Sequence, residues 1–97
     1  MTLTGKQRKQ LRGLAHDLDP VVQVGKEGIT EAVLAQVDRA LDAHELIKVR
    51  FLAGRDEMDD GIEAMARGTG AEAAGSVGHV AILFRPRADP EKRRIRI

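Results

Sequence analysis

Apolar residues recur at Leu11, Leu14, Ala15 and Leu18, the i, i+3, i+4, i+7 spacing that gathers side chains on one side of a helix. Thr4 supplies an N-cap hydroxyl, and the spacing predicts a helix running to about Asp17. Asp19-Pro20 ends it, because a residue before proline is pushed out of the helical region. Val21, Val22 and Val24 are β-branched and predict a short strand. After the segment GKEGIT, Thr30 caps a second helix whose Val33, Leu34, Val37, Ala40 and Leu41 fill one arc, ending near His44. Ile47, Val49 and Phe51 then alternate with Lys48 and Arg50, a strand with one apolar and one basic face. Strand, helix, strand implies a right-handed parallel crossover.

Met58, Ile62, Met65 and Ala66 fall at helical spacing and predict a third, acidic helix over 56–67, weakened by Gly61. AEAAGSVGHVAILFRP predicts two strands around a turn near Gly75 to Gly78, the second being Val80 to Phe84. Pro86, Pro90 and the run EKRRIRI predict a mobile basic tail over 89–97, beyond a domain spanning 1–88. The order is α-β-α-β-α-β-β, an α/β single domain with a four-stranded mixed sheet. No repeat or linker points to a second domain.

A chain of this length buries roughly 60 to 70 % of its unfolded surface, which leaves little for a deep cleft and favours a flat or convex binding face. With 42 % hydrophobic and 32 % charged residues it is expected to fold and to stay soluble, and no apolar run approaches the length of a membrane span. No secretory signal is apparent and cysteine is absent, which excludes disulfides and thiolate chemistry and agrees with a cytoplasmic address. The net charge of +1 conceals a polarised distribution. Lys6, Arg8, Lys9 and Arg12 are basic at one end, and Arg85, Arg87, Lys92, Arg93, Arg94 and Arg96 at the other. The acids Asp56, Glu57, Asp59, Asp60, Glu63 and Glu72 form one block between them. A helical block would oppose an acidic face to a basic one, the arrangement that steers a polyanion, although charge runs also arise as plain solvated surface.

Enzymatic readings find no support. Gly5-Lys6 and Gly25-Lys26 lack the rest of a phosphate-transfer loop, being followed by Gln7 and Glu27. His16, His44 and His79 show none of the spacings of a zinc motif and fit surface or boundary positions, so no metal is expected. DEMDDG faintly resembles a calcium loop, but Met58 and Arg67 occupy ligand positions. Ser76 is the only serine and has no evident base. No cofactor and no small-molecule substrate are indicated. Gly25 to Gly28 remain: glycines flank a basic residue between a strand and a capped helix, the setting in which backbone amides converge on phosphate. An ordinary tight turn would have the same pattern, and Gly75 to Gly78 matches it too.

Read whole, the chain resembles the CRM (chloroplast RNA splicing and ribosome maturation) domain in its stand-alone bacterial YhbY form. The likeness rests on the first-helix segment LTGKQRKQLRGLAH, on PVVQVGKEGIT, on HELIKV and on the closing ILFRP. It implies a fold similar to the C-terminal domain of bacterial initiation factor three, RNA binding without catalysis, and association with precursors of the large ribosomal subunit. The family's GxxG loop falls on Gly25, Lys26, Glu27 and Gly28, and its basic first helix on Lys6, Lys9 and Arg12. The chain departs from the pattern at Glu27, which sets a carboxylate inside the loop. Ala71 to Val77 is blander than the usual strand, and Phe84 stands where many members carry tyrosine.

The expected RNA-contacting set is therefore Lys6, Lys9, Arg12, Gly25, Lys26, Glu27, Gly28, Thr30, Lys48, Arg50, Arg85 and Arg87, on a monomer. Phe51 and Phe84, the only aromatics, are expected in the core, so recognition should depend on shape and phosphate rather than base stacking. The alternative is a protein-interaction module that docks through the acidic helix 56–67.

Overall fold

The computed structural model describes residues 2–52 and 54–97. Three helices and four strands follow in the expected order: α1 (Gly5–Ala15), β1 (Val22–Val24), α2 (Glu31–His44), β2 (Leu46–Phe51), α3 (Arg55–Thr69), β3 (Glu72–Val77) and β4 (Val80–Phe84). A short 3₁₀ turn, Pro90–Lys92, lies in the C-terminal segment. The sheet order is β1-β2-β4-β3, with β1 parallel to β2 and the other pairs antiparallel.

Strand alternation divides the core between the two faces of this sheet. Val22, Val24, Ile47, Val49, Phe51, Ala81 and Leu83 face α2 and α3, whose Val37, Leu41, Met58 and Met65 complete the larger cluster. Leu46, Ile82, Phe84 and Ala74 face the other way and are covered by Leu3, Leu11 and Ala15 of the α1 segment. Both phenylalanines are buried, as expected. α3 runs unbroken through Gly61, where a Cβ would come within 2.6 Å of the Phe51 ring, so glycine is what lets the helix approach the sheet.

Four local expectations are corrected. The first helix stops at Ala15, short of Asp17, and only Leu11 and Ala15 of the expected stripe are buried; Leu14 is 51 % and Leu18 40 % exposed. The reason is that the helix seats Leu11 and Ala15 inward, which turns Leu14 about 60° to the flank, and the chain must leave the helix to reach β1. The hairpin turn sits at Gly78-His79, while Gly75 occupies an irregularity inside β3 with φ 146°. Arg12 lies over that glycine, where a Cβ would meet its Cδ at 2.9 Å.

The other two corrections concern the C-terminal arginines. The tail expected to be mobile is docked. Glu45, fully buried and holding a left-handed φ of 65°, accepts hydrogen bonds from the backbone N–H of Arg87 (2.8 Å), Arg94 (2.7 Å) and Ile95 (3.2 Å). Arg87 adds bonds to the carbonyls of Asp42, Ala43 and Lys92. Arg85 pairs with Asp38 (2.6 Å) and Asp42 (2.8 Å) and also donates to Thr69 O. Arg85 and Arg87 thus close the C-terminal end of α2, whose last carbonyls lack helical partners.

Candidate nucleic-acid interface

Thr4 caps α1 through a reciprocal pair of bonds with Gln7. The helix contains Lys6, Arg8, Lys9 and Arg12 and no acid. With Leu11 and Ala15 turned to the sheet, Lys6, Lys9, Arg12 and His16 are exposed on the outer side. Two bonds lock this helix to the strands beneath. Arg12 Nη1 donates to Ala74 O of β3 at 2.9 Å, and Lys48 Nζ of β2 donates to His16 O just past the helix end at 3.2 Å. Lys48 therefore faces α1, and Arg50, two residues along the same strand, is exposed on that same face.

β1 leads directly from this face to the loop. Gln23 pairs with Arg50 and Val24 with Phe51, so Gly25 begins where β2 ends. Gly28 N donates to Gly25 O at 3.1 Å, closing a turn whose two central residues, Lys26 and Glu27, are exposed. Gly28 has φ 73°, a left-handed value that disfavours a side chain, and nothing lies within 4 Å of a Cβ at Gly25 or Gly28. The turn is open to an approaching ligand on both flanks. Buried Val24 and partly buried Ile29 anchor it, and Thr30 Oγ accepts from Val33 N as the cap of α2. Thr30 thus has a structural task at the loop's exit.

The structure brings Lys9, Arg12, Lys48 and Arg50 onto the α1 side of the sheet, with Gly25 to Gly28 at its end. It does not bring Arg85 and Arg87 there. Leu46 pairs with Phe84, so Arg85 leaves the sheet at the opposite end of β2, roughly 16 Å from the loop end at ~3.3 Å per residue. Most of their guanidinium donors are also already used.

Arg55 and His79 at the loop end were not anticipated. Arg55 donates to Gly78 O at 2.7 Å, and His79 O accepts from Phe51 N at 2.8 Å, which sets the exposed hairpin tip beside the end of β2. In the sequence Arg55 merges into the acidic block and His79 into a turn, and only strand register carries them to the loop. The acids Asp56, Glu57, Asp59, Asp60 and Glu63 are exposed on α3, on the other side of the sheet from α1. Among the described residues the ion pairs are Arg67–Glu63 and the two of Arg85, so none involves a cation of the α1 face.

An α/β domain with a basic helix laid on its sheet and a glycine-flanked turn at the strand ends is thereby defined. The CRS1 / YhbY (CRM) domain model matches residues 3–85, and the chain belongs to that family. It is 46 % identical over 86 residues to an RNA-binding protein of Haemophilus influenzae, spanning 88 % of this chain and 87 % of that one. A probable RNA-binding protein of Bacillus subtilis is 39 % identical over 84 residues, spanning 86 % and 88 %. The solution structure of a Staphylococcus aureus protein, a candidate RNA-binding protein, superimposes with a TM-score of 0.83 at 34 % identity, covering 98 % of this chain and all of that one.

Proposed function

We propose that this protein is a non-catalytic RNA-binding protein whose backbone contacts run from α1 across Lys48 and Arg50 to the Gly25–Gly28 turn. The observation that carries this reading is the convergence of cations outside any ion pair, from separate segments, on one sheet face, against the acids of α3 on the other. Relatives that are RNA-binding by name support the class of partner. A cation-rich, aromatic-poor face suits phosphate and helix shape rather than base stacking. The ligand we favour is ribosomal RNA of large-subunit precursors, bound by the monomer in the cytoplasm, an assignment that rests on the family likeness.

If about five phosphates are neutralised, a slope of roughly −0.7 per contact predicts a loss of about a hundredfold in affinity between 50 and 200 mM salt. Fluorescence anisotropy with labelled ribosomal RNA fragments across that range tests it, and an affinity indifferent to salt refutes it. Cross-linking in cells with sequencing of the attached RNA tests the ribosomal assignment; recovery of unrelated transcripts alone would reject it.

A further inference from the structure

We infer that the docked C-terminal segment is a second RNA-backbone contact, an arginine strap lying beside α1 and held there by Glu45. The inference deepens the RNA-binding reading and rests on it. Lys92, Arg93, Arg94 and Arg96 follow one another without an acid, and Ile95 between them packs against the Leu11–Phe84 cluster. Because Ile95 turns inward, Arg94 and Arg96 are left exposed.

Their positions follow from what they adjoin. Arg94 lines a groove of about 440 Å³ with Leu14 and Leu18 of the α1 flank. Arg96 lines a separate hollow with Gln7, near the start of the helix. The strap therefore runs along the side of α1 opposite Arg12 and β3, and Lys6 and Lys9 stand on the crest between. Asp19 lies in the same groove as Arg94 but forms no ion pair with it. Arg93 is different, since its Nε is spent on Arg87 O at 2.6 Å.

What makes this a surface rather than a loose basic tail is Glu45. Its two carboxylate oxygens take the amides of Arg87, Arg94 and Ile95, so the segment is ordered before any ligand arrives. A pre-ordered cation loses less conformational entropy on binding than a free tail would. Glu45 itself is buried and touches no ligand, so its part is that of a positioning residue.

The test compares Arg94→Gln/Arg96→Gln with the wild type, using a labelled oligoribonucleotide titrated over 50 to 200 mM salt. Both side chains are exposed, so the fold is kept and thermal unfolding should be unchanged. Removal of two contacts should make the salt slope less steep by about 1.4 and lower affinity about 20-fold at 0.1 M salt. Glu45→Gln should give the same flattening, make no further difference when combined with the arginine pair, and speed tryptic cleavage after Arg93 and Arg94. An unchanged slope in the arginine variant, with a flattened one in Lys9→Gln/Lys26→Gln, would overturn the strap and leave the RNA reading standing. A wild-type slope near zero would sink both, and full slope in a cleavage-resistant Glu45→Gln would overturn the positioning role.

Discussion

Arginine and lysine crowd two ends of this molecule, and the two ends use them in contrary ways. At the C-terminal end of α2, Arg85 spreads its donors over Asp38, Asp42 and Thr69, while Arg87 serves three carbonyls and the Glu45 carboxylate. On the α1 face and the turn at its end, Arg12 gives one nitrogen to Ala74 O and Lys48 one bond to His16 O, and Lys9, Lys26 and Arg50 make no side-chain hydrogen bond among the described residues. Guanidinium and ammonium groups carry several donors each. A cation is available to a ligand only in so far as those donors are unspent, so the useful measure of a basic surface is unsatisfied donors rather than charge.

The largest effect expected from this contrast is at Glu45. Glu45→Ala leaves three part-buried amides without their acceptor and should cost about 3 kcal/mol, read as a drop in Tm of roughly 15 °C. Acid should remove part of the same contribution. Burial alone would raise the Glu45 pKa, but the backbone N–H bonds of Arg87, Arg94 and Ile95 and the Arg87 charge outweigh it and leave it lowered from 4.5. A lowered folded-state pKa means the stabilisation is complete above the unfolded value and is lost as pH falls through the folded one. Unfolding followed from pH 6 downward should therefore show wild type losing stability below about 4.5, with Glu45→Gln showing a smaller loss. Equal losses would assign the acid sensitivity to other carboxylates.

Next in size, Lys9→Gln/Lys26→Gln should weaken RNA binding about 20-fold at 0.1 M salt while leaving stability within about 0.5 kcal/mol. Arg85→Met should do the reverse, costing about 1 kcal/mol in denaturant unfolding and leaving RNA affinity alone. If Arg85→Met weakened RNA binding as much as the lysine pair, the division between the two ends would fail. The smallest change is Glu27→Gln, which removes the one carboxylate of the turn and should raise affinity about twofold to threefold, measured by the same titration. Charge reversal at Asp59 and Asp60 should leave RNA affinity unaltered, and a loss there would favour a docking role for α3.

The alternation of Ile47, Val49 and Phe51 with Lys48 and Arg50 was enough to place one basic and one apolar face on β2, because side chains on a strand must point to alternate sides. The same local rules made Thr4 and Thr30 caps and ordered the helices and strands. Where neighbours beyond the local segment compete, the pattern misleads. Leu14 and Leu18 repeat at helical spacing yet are half exposed, since the sheet offers α1 room for only one narrow stripe.

The sequence by itself determined the elements, their order, the polarity of each face and, through its family motifs, the kind of loop after β1. Tertiary structure alone decided which cations remain free. Arg12 and Arg85 are indistinguishable as residues, but one meets a single carbonyl across 62 positions and the other meets two acids across more than 40. Partners so distant in the chain are chosen by strand register and helix packing, and no local rule of charge or periodicity reports them.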